Sequence, residues 1–335
     1  MSSPDAPAPD SSPASAPLPP IEFGGDAVAW AVWLYHGEGR TQNEVARALG
    51  LSRATIANYL AEGRRRGLVR ISLAPDLLTG VGLGRRLAER WGLAGAHVVP
   101  ADPDPEAQRA RIALAGGHAL ARHVRDGAAL GVAWGRTVSR MALSLPEMRA
   151  PGLRVVQVAG STQSNAEHSP EFCTTLIAAR TGARAENLDA PALLSSREMR
   201  DALAREPGVA RQLAAARGCD AVVFGVGEMD RELGFVDPHY MPETIAAAYL
   251  EAGAVGIVMS RFIDAAGAEV QGPLSGRRMG LELAELKAIP ARLCIAGGPA
   301  KRAAIRAALA GGYATELVTD ADTAEALLEG PGGAA

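Results

Sequence analysis

Hydrophobic and polar positions follow two different patterns along the 335-residue chain. Between Thr41 and Gly67, apolar residues recur at helical spacing in two short segments on either side of Gly50. Beyond Gly92, short apolar runs alternate with amphipathic helical segments, which favours a mostly parallel sheet covered by helices. The pattern therefore predicts an α/β protein with a small all-α N-terminal domain and a larger α/β domain. Strands are expected at residues 96–99, 128–133, 154–159, 221–226, 256–259, 292–296 and 315–319.

The segment TQNEVARALGLSRATIANYLAEGRRRG (residues 41–67) has the features of two helices joined by a tight turn. Thr41 and Glu44 fit a capping box, Gly50 supplies a left-handed turn, and Ser52 is a good N-cap for the second helix. This combination is typical of a DNA-binding helix-turn-helix. The alternative interpretation is an ordinary amphipathic helical hairpin whose arginines form a solvated face.

The second helix presents short or hydrogen-bonding residues at its N-terminal end, which suits a major groove about 12 Å wide. Arg53 is expected to read guanine and Asn58 adenine, while the arginines at the end of the helix meet phosphates. Residues 37–73 hold seven Arg and three Glu, a net charge of +4, whereas the whole chain is −3. The predicted DNA-binding residues are Thr41, Gln42, Ser52, Arg53, Ala54, Thr55, Asn58, Arg64 and Arg65.

Composition sets the boundaries on either side of this segment. Residues 1–20 are nearly all Ser, Pro, Ala and Asp, so they predict a disordered tail that is not a secretory signal. Residues 26–36 predict an apolar first helix, and the alternating run at 68–73 suggests a short strand that forms a wing or a tether. The expected organisation is a tail (1–20), a helix-turn-helix domain (21–74), a linker helix (75–91) and an α/β domain (92–330).

Composition also excludes several classes of protein. Aromatic residues make up only 4 % of the chain, which argues against stacking platforms for single-stranded nucleic acid. The three cysteines are scattered, so neither a metal site nor a disulfide framework is expected, and a reducing cytoplasm fits. No apolar run reaches about 18 residues, so no membrane span is expected.

Four predicted strands end in glycine-containing turns. Ligands of α/β sheets bind beyond the carboxyl ends of the strands, and a glycine turn that opens a helix offers free amides to an anion. Lys301, one of only two lysines, lies in the last of these turns. No turn matches a dinucleotide fingerprint or a P-loop, so no NAD or ATP cofactor is expected. Steric need explains any single turn equally well, but the four together predict a pocket for an anionic small molecule. Its predicted residues are Gly131, Gly135, Arg136, Thr137, Gly160, Ser161, Thr162, Gly225, Gly227, Glu228, Gly297, Gly298 and Lys301.

Six stretches in a fixed order carry a family resemblance. They are residues 41–60, LGVAWGRTVSRMA (130–142), VVQVAGST (155–162), VVFGVGEM (222–229), GAVGIVMSRFIDAAGAEV (253–270) and IAGGPAKRAAIRAALAGGYATELVTDADTAEALL (295–328). On these stretches the chain resembles the SorC/DeoR-type sugar-binding transcriptional regulators of bacteria, over roughly residues 26 to 330.

The resemblance implies a C-terminal effector domain that is similar in fold to sugar-phosphate isomerases and binds a sugar or phosphosugar without catalysis. It also implies a homo-oligomer, dimer or tetramer, that binds double-stranded operator DNA. By position, a phosphate or sugar oxygens would be held by Gly131, Gly135, Thr137, Gly297, Gly298 and Lys301. Another wall would be formed by Gly160, Ser161 and Thr162, and the floor by Gly225, Gly227 and Glu228. The acidic residue that often follows GAVG in the family is Ile257 here, which removes a partner for sugar hydroxyls. No lysine lies near Gly160, so non-covalent binding is expected.

Two other hypotheses remain open from the sequence. The first is an active sugar-phosphate isomerase fused to a helix-turn-helix, with Glu228, Asp230, Asp237 and His239 as candidate acid and base groups. The second is an architectural DNA-binding protein whose C-terminal domain binds nothing. A sugar phosphate that is consumed would favour the enzyme, whereas one that stabilises the protein without turnover would favour the regulator.

Overall fold

The computed structural model describes residues 18–69, 75–146, 148–162, 166–229 and 243–330. Two compact units divide the chain, Met1–Ala74 and Pro75–Ala335. Most of the predicted tail and most of the predicted wing or tether lie outside the described residues. No helix in the described ranges is long and apolar enough to cross a membrane.

The first unit contains three short α-helices, α1 (Ala27–Val32), α2 (Gln42–Leu49) and α3 (Arg53–Arg65). A 3₁₀ turn at Ile21–Phe23 precedes α1, and a π-helical segment at Trp33–Gly37 follows it. The apolar faces of the helices meet in one buried cluster. Its members are Ala31, Val32, Leu34, Val45, Ala46, Leu49, Ile56 and Leu60.

Local chemistry fixes the ends of α2 and α3 as the sequence predicts. The Thr41 hydroxyl accepts the Glu44 amide at 3.3 Å, and the Glu44 carboxylate accepts the Thr41 amide at 2.8 Å, which completes the capping box. Gly50 ends α2 in the left-handed region at φ +66°, and the Ser52 hydroxyl caps α3 by accepting the Thr55 amide at 3.1 Å. The predicted helix-turn-helix is therefore confirmed.

A seven-stranded, fully parallel sheet forms the centre of the second unit, in the order β1-β10-β9-β5-β2-β3-β4. The strands are β1 (Gly95–Val99), β2 (Ala129–Val132), β3 (Arg154–Gln157), β4 (Arg184–Glu186), β5 (Ala221–Phe224), β9 (Ala291–Ile295) and β10 (Glu316–Asp320). A smaller antiparallel sheet contains β6 (Val226–Glu228), β7 (Gly256–Val258) and β8 (Arg261–Ile263).

Residues of the parallel strands alternate between two cores, one on each face of the sheet. In β2, Leu130 and Val132 belong to one core and Ala129 to the other. The first core is covered by α5 (Pro105–Ala121), α6 (Arg136–Ser144) and α7 (Pro170–Thr181). The second is covered by α4 (Pro75–Trp91), α9 (Pro207–Arg217), α11 (Leu283–Ala288), α12 (Arg302–Ala310) and α13 (Ala321–Leu328). Two further helices, α8 (Arg197–Arg205) and α10 (Glu243–Glu251), complete the unit.

The predicted α/β fold class is confirmed, and three of the expected elements are used differently. Gly225 interrupts the run at 221–226, so the chain leaves the main sheet there and enters the small one. The strand expected at 256–259 also pairs in the small sheet. Helix α4, expected as a linker, belongs to the second unit, because Leu83 and Leu87 are buried in its core.

Candidate functional site

A cavity of about 330 Å³ opens at the carboxyl edge of the parallel sheet. The turns that follow β2, β3, β5 and β9 form part of its wall, and the small antiparallel sheet forms the rest. This is where α/β folds bind their ligands. The cavity brings together eight of the predicted effector residues: Gly135, Arg136, Thr137, Thr162, Gly225, Gly227, Glu228 and Lys301.

The start of α6 presents unoccupied backbone donors to this cavity. Gly135 is its N-cap, with φ at +119°, and no side chain among the described residues caps the helix. Arg136 and Thr137 are the first two helical residues, and both line the cavity. A helix start with free amides and a flanking arginine suits a phosphate or another small anion.

Cationic side chains dominate the electrostatics of the same region. Lys301 lies with its Nζ 3.6 Å from the Glu228 carboxylate, which is itself buried. Burial lowers the pKa of Lys301, the Glu228 charge opposes that shift, and Arg136 and Arg109 add to it. Burial likewise lowers the pKa of Arg109, with a contribution from Arg136. Arg109 lies outside the cavity lining and pairs with Glu106. Lys301 and Arg136 line the cavity with one described carboxylate, that of Glu228, so the lining favours a negatively charged ligand.

Three of the predicted residues serve the packing of the sheet and do not line the cavity. A Cβ on Gly131 would lie 2.7 Å from Val158 Cγ1, inside the core. A Cβ on Gly160 would lie 2.6 Å from the carbonyl carbon of Pro191. Ser161 bonds through its backbone, since its amide donates to the Ala190 carbonyl at 2.8 Å.

The turn at Gly297–Gly298 is occupied from within the protein. The Gly298 amide donates to the Asp320 carboxylate at 2.8 Å and to the Thr323 hydroxyl at 3.0 Å. Asp320 is buried and also accepts the Thr323 amide and hydroxyl, both at 2.8 Å. A Cβ on Gly297 would lie 2.2 Å from the Asp320 carboxylate. The turn therefore holds its shape without a ligand and delivers Lys301 to the cavity.

Two buried polar atoms line the cavity, one on the predicted residue Thr162 and one on His168, which was not predicted. The Thr162 hydroxyl and His168 Nδ1 are buried and have no hydrogen-bond partner in the described part of the chain, so both can bond a ligand. Ile257, which stands where the family often has an acidic residue, lines the cavity. The additional lining residues with bulky or polar side chains are Trp134, His168, Leu193, Met259, Ser260, Phe262, Leu274 and Arg278.

The hairpin turn between β7 and β8 stores backbone strain at the cavity. Met259 and Ser260 have φ values of +51° and +64°, in the left-handed region that favours glycine or asparagine. Both line the cavity. Strained backbone of this kind clusters at ligand sites.

The surface of α3 carries the predicted DNA-reading residues. Arg53, Ala54 and Asn58 are exposed, and the Thr55 hydroxyl lies 2.8 Å from that of Ser52. The hydroxyls of Thr41 and Ser52 are already used as helix caps, and Gln42 is half-buried at the start of α2.

The arginines at the end of α3 differ in their partners. Arg65 forms a bidentate ion pair with Glu62, with bonds of 2.6 and 2.8 Å. Arg66 pairs with Asp26. Arg64 is exposed and has no ion pair within the described residues. Arg64 is therefore the readier partner for a phosphate.

Of the acid and base candidates, only Glu228 falls in the described part of the chain. It lines the cavity beside Lys301. Asp230, Asp237 and His239 lie outside the described residues.

Comparisons with known proteins agree with this geometry. A family model described as "Putative sugar-binding domain" matches residues 77–329. The transcriptional regulator YjhU of Escherichia coli K12 is 32 % identical over 312 residues, covering 91 % of this chain and 95 % of that protein. The chain belongs to the SorC/DeoR-type sugar-binding transcriptional regulators.

Further members of this family match over nearly their whole length. The transcriptional regulator LsrR of Klebsiella pneumoniae is 30 % identical, with 90 % of this chain and 93 % of that protein covered. The crystal structure of the full-length sorbitol operon regulator SorC from Klebsiella pneumoniae is 27 % identical, with a TM-score of 0.71, and covers 90 % of this chain and 98 % of that one. The chain is thus a transcriptional regulator in which a sugar-binding domain controls DNA binding.

Proposed function

We propose that this SorC-type regulator binds a phosphosugar in the cavity at the carboxyl edge of its parallel sheet, and that occupancy of the cavity changes its affinity for operator DNA. The observation that supports this most is the convergence of Lys301, Arg136 and the open start of α6 on one cavity. A neutral sugar does not need this excess of positive charge, whereas a phosphate does.

In the proposed complex, the phosphate lies between the first amides of α6 and the ammonium of Lys301. The Thr162 hydroxyl and His168 Nδ1 supply bonds to sugar hydroxyls, since both lack a partner in the described residues. Trp134 offers an apolar face to the sugar ring. Binding is non-covalent, because the single lysine that lines the cavity is engaged with Glu228 at 3.6 Å.

The DNA-bound form places α3 in the major groove, where Arg53 and Asn58 contact base edges and Arg64 contacts phosphate. A single helix-turn-helix reads few base pairs, so we propose a homo-oligomer, dimer or tetramer, on a roughly palindromic operator. It acts in the cytoplasm, where bacterial DNA lies. A difference of about 1–3 kcal/mol in effector affinity between the two functional states is enough for control.

The competing function is enzymatic, and one observation favours it: the Glu228 carboxylate lies in the cavity beside Lys301, where it could move a proton. We nevertheless propose binding without catalysis, since the relatives that match over the full length are named transcriptional regulators.

A thermal-shift screen against a panel of sugars and sugar phosphates tests the proposal, with every stabilising compound also assayed for turnover. A phosphosugar that raises the Tm, survives unchanged and alters operator binding is the expected result. Consumption of the compound would favour the enzyme. Stabilisation by neutral sugars alone would contradict the assignment of a phosphate to Lys301 and Arg136.

A further inference from the structure

Two buried arginines lie near each other beside the small antiparallel sheet, and carboxylates of the described residues neutralise only one of them. Arg261 is 4 % exposed and pairs with Glu269 at 3.1 Å and Glu282 at 2.8 Å. Its Nε also donates to the Leu281 carbonyl at 3.1 Å. This is the usual arrangement for a buried guanidinium, with carboxylates that compensate its charge.

Arg278 is almost as deeply buried, at 6 % exposed, but has no such partners. No side chain in the described residues forms an ion pair with it, and its guanidinium carbon lies over the rings of Phe262 and Tyr249, at 4.7 and 5.7 Å from their centroids. Burial lowers the pKa of Arg278, which reflects the cost of holding its charge there. Arg278 lines the effector cavity.

The two aromatic rings fix the position of this guanidinium. Tyr249 and Phe262 are themselves buried and stack on each other with centroids 3.7 Å apart. An arginine held flat against aromatic rings keeps its N–H edge available for in-plane hydrogen bonds. That edge matches a carboxylate or a phosphate, which can accept two parallel bonds.

Arg278 belongs to a different electrostatic group from the cations at the start of α6. The charges that act most strongly on Lys301 are those of Glu228, Arg136 and Arg109. After burial, Tyr249 acts most strongly on the pKa of Arg278 and raises it through its hydroxyl, followed by the charges of Arg261 and Glu269. Among the described residues, the cavity lining therefore has two cationic regions, and the one carboxylate of that lining, Glu228, lies in the first.

We infer that the effector carries two anionic groups, and that Arg278 binds the second while Lys301 and Arg136 bind the first. The inference rests on the proposed function, since it takes the cavity as the effector site. It narrows the effector class to small molecules with two separate anionic groups, such as a sugar bisphosphate or a phosphorylated sugar acid. Ile257, Phe262 and Leu193 line the cavity as well, and leave an apolar wall for the body of the molecule.

Inorganic phosphate tests the two regions separately, because it carries no sugar that must fit. Equilibrium dialysis of the full-length protein against labelled phosphate, at constant ionic strength, gives the number of ions bound per chain. We expect two ions for the unmodified protein, one for Arg278→Met and one for Lys301→Met. Arg278→Lys keeps the charge and is expected to bind two.

Arg277→Met is the matched control, since Arg277 is the neighbouring arginine, lies outside the cavity lining and donates to the Leu194 carbonyl at 2.8 Å. It is expected to bind two ions. A single ion in the unmodified protein, or two ions in Arg278→Met, would overturn the inference about Arg278. Loss of an ion in Lys301→Met would still support the proposed function, and no bound ion in any variant would overturn both.

A second arm identifies the chemistry of the second group. Calorimetric titration compares a hexose 6-phosphate with the hexose 1,6-bisphosphate and with 6-phosphogluconate. At least one of the two compounds with a second anionic group is expected to bind about tenfold more tightly than the monophosphate, and Arg278→Met is expected to abolish that advantage. Equal affinity for all three compounds, or equal weakening of all three by Arg278→Met, would overturn the inference that one molecule carries both groups.

Discussion

The two glycine turns that open helices at the carboxyl edge of the sheet look alike in sequence and are used in opposite ways. Gly135 begins α6 at φ +119°, and although its own amide donates to the His168 carbonyl at 3.4 Å, no side chain of the described residues caps the amides that follow, which face the cavity. Gly298 has a similar φ of +96°, but its amide is bonded to Asp320 and Thr323. The first turn is open to a ligand and the second is closed by the protein. A glycine turn is thus a ligand site only when nothing in the fold has already filled it.

Removing the carboxylate that bonds the Gly297–Gly298 turn should have the largest effect on stability. Asp320→Ala leaves the buried amides of Gly298 and Thr323 without their acceptor, and we expect a loss of roughly 3–5 kcal/mol in the free energy of unfolding. Urea denaturation of the ligand-free protein measures it. Asp322→Ala, an exposed change in the first turn of the same helix, should cost at most about 1 kcal/mol. Similar losses in the two variants would mean that Asp320 does not hold the turn.

Gly131 tests whether a glycine of the predicted site acts through packing alone. Gly131→Ala places a methyl group 2.7 Å from Val158 Cγ1, and overpacking of this kind should cost about 1–3 kcal/mol of stability. Under conditions in which both proteins are fully folded, the affinity for the phosphosugar should not change. The matched control is Gly208→Ala, at a helical position with nothing within 4 Å of the new methyl group, which should be neutral or slightly stabilising. Loss of affinity without loss of stability in Gly131→Ala would make it a ligand-binding position.

The ammonium of Lys301, which lies in the turn held by Asp320, should lose its proton at a lower pH than an ordinary lysine. Burial lowers the pKa of Lys301, and only its protonated form attracts an anion. Affinity for a phosphosugar should therefore fall as the pH rises through this lowered pKa, by up to about tenfold for each pH unit that lies above it. Titrations between neutral pH and pH 10 measure this decline, and Lys301→Arg should remove it because an arginine stays charged. A decline that persists unchanged in Lys301→Arg would exclude Lys301 as its source.

The arginines of α3 also differ in whether the protein already provides a partner, and this difference should have a smaller effect, on the affinity for DNA. Arg64 has no ion pair among the described residues, whereas Arg65 is held by Glu62. Arg64→Ala should reduce the slope of log affinity for DNA against log salt by about 0.9, as expected for one phosphate contact, and Arg65→Ala should reduce it less. Arg53→Ala and Asn58→Ala should instead relax the sequence preference, at a cost of about 1–3 kcal/mol on the operator. Equal salt slopes for Arg64→Ala and Arg65→Ala would contradict the distinction.

Local chemistry made the helix-turn-helix and the class of the fold predictable. The capping box at Thr41, the turn at Gly50 and the cap at Ser52 depend only on neighbours in the sequence. The alternation of apolar runs and helices was likewise enough to predict a parallel sheet. The small antiparallel sheet was not predictable in this way, since its strands are three residues long and β6 (Val226–Glu228) pairs with β7 (Gly256–Val258), which is distant in the sequence.

Residues of the candidate site were predictable from the sequence only where they directly follow a predicted strand. Arg136, Thr137 and Lys301 were predicted because they lie in turns that follow strands, and the carboxyl ends of parallel strands share one edge of the sheet. Nothing in the chain order indicates Arg278, since its burial follows from the packing of α10 and β8 against it, and its lack of a carboxylate partner among the described residues follows from the folded structure. The strained Met259–Ser260 turn is hidden for the same reason, as neither residue is typical of a left-handed turn.

The most direct test of the account is the effect of a stabilising phosphosugar on DNA binding by the full-length protein and by Lys301→Met. An operator selected in vitro from random duplexes supplies the DNA, and fluorescence anisotropy gives the affinity with and without the compound. The account predicts at least about a fivefold change for the unmodified protein, and for Lys301→Met an unchanged affinity in the absence of the compound with no response to it. An equal response of both proteins would contradict the assignment of the cavity as the effector site.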